Sequence, residues 1–115
     1  MKLSNLTFLI AGILFFTAAS GDEIPSAFRG RWADTAAVCK SKGPAADTVI
    51  TIKNHGYEGY EMYCNVKKIK TLTSNLFISS GTCNQEGNES PATIKLELFN
   101  NGRELKISGQ KVIKC

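Results

Sequence analysis

Hydrophobic and polar positions alternate differently in three parts of the chain. Leu6 to Phe16 is a nearly unbroken apolar run. Residues 21–47 are mixed and mostly polar. From Thr48 onward, β-branched and aromatic residues recur in short stretches separated by polar breaks, the pattern of consecutive strands. Thr48-Val-Ile-Thr-Ile-Lys53 reads as one strand, followed by a turn at Asn54-His55-Gly56. Gly59 to Leu72 reads as a long strand, Asn75 to Asn84 as another, and Glu86-Gly-Asn-Glu-Ser-Pro91 as a loop. Upstream, Phe28-Arg-Gly-Arg-Trp32 resembles the start of a first strand, with Trp32 capping one end of a core. The alanine-rich stretch 33–39 suits a helical turn, and Ser41-Lys-Gly-Pro-Ala-Ala-Asp47 a loop.

The last third carries the clearest local signal. Asn101-Gly102 is a preferred dipeptide of the two-residue type I′ hairpin, because both central positions need positive φ. Such a turn sets Leu98 opposite Leu105 and Leu96 opposite Ile107, with Glu97 facing Lys106 on the other side. One face is then apolar and the other holds an opposite-charge pair, as a half-buried antiparallel sheet requires. Continuing the alternation places Lys111, Ile113 and Cys115 on the core side, with Lys111 a misfit for a bulge or barrel rim to absorb. Five strands from Thr48 onward and one near Trp32 define an all-β fold. The expected architecture is a small antiparallel meander closed into a barrel or half-barrel, because closure protects sheet edges. A flat two-layer sandwich is the alternative.

The first apolar run changes the picture of location. Lys2, the apolar segment and the small residues Ala18-Ala19-Ser20 form a secretory signal peptide over residues 1–20. The run is shorter than the roughly 20 residues needed to span a bilayer, so no stable membrane insertion is expected after cleavage. Residues 21–115 then form one exported domain, periplasmic or secreted. The formal net charge of +4 falls to +3 when Lys2 leaves with the leader. Lys67, Lys68 and Lys70 are the one local cluster, and a solvated strand face explains them without nucleic acid.

Four cysteines stand at positions 39, 64, 83 and 115, and none forms a Cys-x-x-Cys pair. That spacing argues against a zinc ribbon or a thioredoxin-like centre, and an even count in an exported domain points to two disulfides. If Thr73-Ser74 is the turn between the second and third long strands, Cys64 lies directly opposite Cys83. The same register pairs Ile69 with Ile78 and Val66 with Gly81. The remaining pair is Cys39–Cys115. The alternative, Cys39–Cys64 with Cys83–Cys115, stays open because the turn is assumed.

Catalytic constellations are sparse. His55 is the only histidine and sits in a turn; no serine occupies a Gly-x-Ser-x-Gly setting. Glu58 and Glu61 are three apart, so on one strand they face opposite sides. Glu86 and Glu89 fall in a loop. No nucleotide-binding loop or His-Glu metal motif appears, so neither an enzyme nor a cofactor is expected. What remains is a candidate contact surface of Tyr57, Tyr60, Glu61, Tyr63 and Trp32, since tyrosines combine large contact area with a polar tip. On one strand, Tyr57 and Tyr63 share parity and Tyr60 does not, so at least one belongs to the core.

The segments Ile24-Pro-Ser-Ala-Phe-Arg-Gly-Arg-Trp-Ala33, Cys39, Tyr60-Glu-Met-Tyr-Cys64, Cys83 with Glu86-Gly87, Leu96-x-Leu98 and Lys114-Cys115 carry a family resemblance. Together they resemble a group of small periplasmic Gly-x-Trp proteins of Gram-negative bacteria. The Gly30-Arg31-Trp32 opening is also distantly similar to lipocalin-like barrels, among them the Inh-type protease inhibitors. That likeness implies a barrel that binds or inhibits a protein. Two departures accompany it: few residues precede Phe28 to serve as an inhibitory arm, and there are four cysteines rather than two. The expected function is a non-catalytic exported binding module with a protein partner, such as a hydrolase that it inhibits. Its alternatives are a small-ligand carrier with its site near Trp32 and a structural envelope protein.

Overall fold

The computed structural model describes residues 21–41 and 48–115. The expected leader over 1–20 and the expected loop beyond Ser41 lie outside those residues. Among the described residues the chain forms eight strands: β1 (Gly30–Ala33), β2 (Ile50–Ile52), β3 (Gly56–Gly59), β4 (Met62–Thr73), β5 (Leu76–Gln85), β6 (Asn88–Phe99), β7 (Glu104–Ile107) and β8 (Gln110–Lys114). Each pairs antiparallel with the next, and β8 returns to β1 to close a barrel. The flat sandwich is thereby excluded. A 3-10 turn, Ser26–Phe28, precedes β1. The expected helical turn is present as α1 (Ala36–Lys40), capped by Thr35, whose Oγ1 accepts the Val38 amide at 3.2 Å. It starts after Ala33, which ends β1 instead.

Two of the eight strands come from turns that the residue pattern hid. Gly59 to Leu72 is not one strand: it breaks at Tyr60-Glu61, and Gly59 pairs with Met62 across the turn. Residues Tyr60 and Glu61 are not typical turn formers, yet Glu61 adopts a positive φ of 52°. The second break is Ser108-Gly109, both with positive φ. It folds β8 back on β7 so that Leu105 meets Val112 and Lys106 meets Lys111. Val112 therefore points inward and Lys111 outward, correcting the expected parity and removing the misfit. The expected loop 86–91 shrinks to Glu86-Gly87, again both with positive φ, and Asn88 to Pro91 already belong to β6.

The β6–β7 hairpin follows the expected register, with Leu98 opposite Leu105, Leu96 opposite Ile107 and Glu97 opposite Lys106. Asn101 and Gly102 have φ of 57° and 81°, and the Arg103 amide donates to the Asn100 carbonyl at 3.1 Å to close the turn. The β4–β5 hairpin reaches the expected cysteine pairing by a different route. Its last pair is Thr73 with Leu76, so the turn is Ser74-Asn75, displaced from the assumed one. Bulges at Lys67 and Leu72 each add one residue to β4, and by Val66–Gly81 the register matches the expected one. Between the bulges the expected Ile69–Ile78 pair is replaced by Ile69 with Ser79. The Lys67 bulge also lets Val66 and Ile69, three apart, both face inward.

Cys64 lies opposite Cys83 and is bonded to it, the Cα atoms 3.9 Å apart. Cys39 is bonded to Cys115, tying α1 to the end of β8. Both preferred pairings are thus present, and Cys39–Cys64 with Cys83–Cys115 is excluded.

Inside the barrel, Ile52, Tyr57, Cys64, Val66, Phe77, Leu96, Leu98, Leu105 and Val112 form one buried cluster. Ile24 and Phe28 enter it from the N-terminal segment, Phe28 meeting the Phe77 ring edge-on at 4.7 Å. Trp32 is fully buried, and its Nε1 donates to the Phe28 carbonyl at 3.0 Å. Lys114 lies over the indole, its Nζ 5.1 Å from the ring centre and donating to the Arg29 carbonyl at 2.9 Å. The Lys114 stem comes within van der Waals range of where a Cβ on Gly30 would stand, and Gly30 itself has a φ of +124°. A glycine two residues before the tryptophan therefore has a backbone reason.

Gly81 faces the Lys67 bulge at such close range that a Cβ there would run into the Asn65 carbonyl oxygen. Gly81→Ala is expected to lower stability by about 1–3 kcal/mol through overpacking, read as a lower urea midpoint. Cys39 and Cys115 close a loop spanning 76 residues. In the chain-entropy account, a Cys39→Ala/Cys115→Ala variant should lose about 4 kcal/mol on chemical denaturation. A loss under about 1 kcal/mol would show that the seam holds without the bond.

Candidate contact surface

The hidden turn at Tyr60-Glu61 separates Tyr57 from Tyr60 and Tyr63. Tyr57 stands on β3 opposite Cys64, and both point into the barrel. Its hydroxyl donates to Ser79 Oγ at 2.6 Å, and Ser79 Oγ reaches the Ile94 carbonyl at 3.4 Å. Ser79 is the one buried polar residue among the described residues, and this relay satisfies it. Burial pushes the Tyr57 phenol up to about 12, with the Ser79 hydrogen bond acting in the opposite direction.

Trp32 and Tyr57 therefore leave the candidate surface: both are core residues. Tyr60 and Tyr63 remain, 60% and 44% exposed, with Glu61 between them in the chain. Tyr60 and Glu61 form the tip of the β3–β4 hairpin. Tyr63 projects outward opposite Glu58, and its hydroxyl donates to Asn65 Oδ1 at 3.0 Å. One residue beyond Tyr63, the Cys64–Cys83 bond fixes this hairpin to β5. The tip is thus an aromatic projection on a covalently braced base.

Beside it lies an open groove lined by Arg29, Ile52, Lys53, Asn54, His55, Gly56 and Tyr63. Its charges are largely answered within the molecule. Lys53 Nζ donates to Glu58 Oε2 at 2.9 Å, and that hydrogen bond, then the carboxylate charge, raises the lysine above its ordinary value. Arg29 meets Glu23 at 3.3 Å and donates through Nε to the Ile24 carbonyl. His55 Nδ1 lies 3.1 Å from the Asp22 carbonyl, a contact in which the ring nitrogen donates. It holds the N-terminal segment, and no serine or cysteine nucleophile accompanies it. Glu58 is engaged with Lys53 while Glu61 sits in the turn, so the two do not form a carboxylate pair. Glu86 and Glu89 likewise separate into the β5–β6 turn and β6. Among the described residues, no three His, Cys, Asp or Glu side chains converge as metal ligands would.

Inside the barrel, the described side chains pack closely around Tyr57 and Ser79. The gap bounded by Tyr57, Cys64, Val66, Ser79, Gly81 and Ile94 is too small for a water molecule. Near Trp32, where the alternative carrier reading places a ligand, the indole donates to the Phe28 carbonyl and lies under the Lys114 ammonium. No helix among the described residues is long and apolar enough to cross a membrane. No family model, curated protein or solved structure matches the chain.

Residue reasoning missed the separation of Tyr57 from Tyr60 and Tyr63 because Tyr-Glu carries no turn signature. A usable signal was present in Gly56 and Gly59. A Cβ at Gly56 would collide with the Cys64 carbonyl oxygen, a close cross-strand approach that marks a hairpin.

The Tyr57 environment has a pH consequence. An unfolded tyrosine ionises near 10 and the folded Tyr57 near 12, so stability is full below pH 10 and falls as pH rises from 10 to about 12. Tyr57→Phe should remove that part of the alkaline loss, at a cost of about 0.5–1.5 kcal/mol at neutral pH for the missing hydrogen bond. Urea melts of both proteins between pH 8 and about 12 check it; parallel pH dependence in the two would refute the assignment.

Proposed function

We propose that this protein is a non-catalytic binding module, exported to the periplasm, which acts on a protein partner through the tip of the β3–β4 hairpin. One observation carries the reading. The interior is filled with side chains, while two large aromatic residues stand exposed on a disulfide-braced projection. Exposed tyrosines held on rigid elements lose little entropy on binding, which suits a protein interface. Two closed disulfides suit an oxidising compartment, in keeping with the secretory leader. Inhibition of a hydrolase is the narrower form that the resemblance to Inh-type barrels suggests.

The described residues before Phe28 do not serve as a free inhibitory arm: the Asp22 amide donates to the Lys67 carbonyl at 3.2 Å, the Ile24 amide donates to the Asn54 carbonyl at 2.7 Å, and Ile24 is buried. Any inhibition therefore belongs to the outer surface of the barrel.

A photo-crosslinker placed at Tyr60 in the producing cell should trap one defined protein. Tyr60→Ala/Tyr63→Ala should fold with an unchanged melting temperature and bind that protein at least about 30-fold more weakly, the scale of a hot-spot loss of about 2 kcal/mol. Equal affinity of the double variant would remove the hairpin tip from the interface.

A further inference from the structure

β4 is longer than its neighbour on one side. It pairs with β5 as far as Thr73 but with β3 only as far as Asn65. From Lys67 onward its other side has no partner strand among the described residues. The chain itself occupies the start of this edge: the Asp22 amide donates to the Lys67 carbonyl, and the Asp22 carboxylate accepts the Ile69 amide at 2.8 Å. Beyond Ile69 the edge is open.

Basic side chains without an ion pair cluster along this edge, whereas Arg31 and Arg103, which also have none among the described residues, stand singly. Lys53 has Glu58, Lys111 has Glu104 at 3.7 Å, and Lys106 stands opposite Glu97 and over the Phe99 ring. Lys67, Lys68 and Lys70 have no ion pair among the described residues. Neither does Lys95, which flanks Ile78 on the side opposite Lys70. Solvation explains why these lysines are exposed, but not why Lys67, Lys68 and Lys70 line an unpaired edge. Between the two bulges, Lys68 to Thr71 runs in unbroken register with β5 over four residues. Leu72, in the second bulge, is 46% exposed at its end.

Edge lysines and bulges are devices against indiscriminate edge pairing. Here they also choose a partner. A second copy of this chain would set lysine against lysine, whereas an acidic strand would neutralise the charge that the barrel leaves unanswered. We infer that the free edge of β4, from Lys70 to Thr73, receives an extended acidic segment of a partner protein as an added strand. Main-chain hydrogen bonds supply the affinity, Lys68 and Lys70 the preference for acid, and Leu72 an apolar contact. Asp22 already displays the local chemistry, a backbone amide and a carboxylate both bonded to the same edge. The inference rests on the binding-module reading but uses a different surface from the tyrosine tip, so the two can fail separately.

The test is amide-resolved NMR of the isotope-labelled protein with synthetic peptides of alternating glutamate and valine. The acidic peptide should shift and protect amides of Lys70 to Thr73, with binding weakened at least tenfold by Lys68→Glu/Lys70→Glu. Raising salt should weaken it as well, and Tyr60→Ala/Tyr63→Ala should leave it unchanged. A backbone N-methylated peptide of the same charge should bind at least tenfold more weakly, because strand addition needs its N–H groups. Equal binding of the methylated peptide, or shifts confined to the β6 edge or the tyrosine tip, would overturn the inference. So would binding of phosphatidylglycerol vesicles or a DNA oligonucleotide at Lys68 and Lys70 with no response to the acidic peptide. Thermal melts matching the parent confirm that the lysine variants are folded.

Discussion

Two residue pairs, Trp32 with Lys114 and Ala33 with Ile113, join the first strand to the last, and barrel closure depends on this short seam. A seam of that length carries few ladder hydrogen bonds, so other contacts must hold it. The Cys115 amide donates to the Arg31 carbonyl, and the Cys39–Cys115 bond ties α1 across the same junction. On the inner side, Trp32 is pinned between the Phe28 carbonyl and the Lys114 ammonium. Ring contact, ladder and covalent bond converge on one place. A small sheet that failed to close there would leave β1 and β8 as open edges.

Closure also decides where function can be. Eight strands enclose an interior that side chains fill, and here Phe28, Trp32, Tyr57 and Phe77 take much of the space. The outer surface is left to act, and its distinctive features occupy opposite ends of β4. At one end the β3–β4 tip presents Tyr60 and Tyr63. At the other, β4 outruns β3 and presents a lysine-rich edge. Among the described residues β6 is also open along Asn88 to Ile94, since β7 pairs with it only from Leu96 onward, and there Pro91 blunts the edge. The two open edges are guarded by different means, proline on one and charge on the other. Only charge discriminates between partners.

Legibility followed turn chemistry. The β6–β7 hairpin was readable because Asn-Gly demands positive φ and the flanking residues agree in face and charge. Ser108-Gly109 was equally readable in principle, but the apolar alternation through Ile107, Ile113 and Cys115 masked it and put Lys111 on the wrong side. Tyr60-Glu61 itself carries no turn signature, and only Gly56 and Gly59 beside it mark the close approach of a hairpin. The pairing of Cys64 with Cys83 was reached with a turn one residue out of place, and two bulges made up the difference. Bulges leave little trace in composition, because an inserted lysine or leucine looks like any other strand residue. For the candidate surface, the tyrosines were found, but their assignment to inside or outside depended on the hidden turn.

Strand propensity, one hairpin, the disulfide framework and the scarcity of catalytic groups all follow from residue type and spacing, because they are local or combinatorial properties of the chain. The number of strands, the inward placement of Tyr57 against the outward one of Tyr63, and the open edge of β4 do not. Each depends on where a strand ends relative to the one it pairs with. That relation is set by barrel closure, where the requirement to fill the interior and join β1 to β8 overrides local preference.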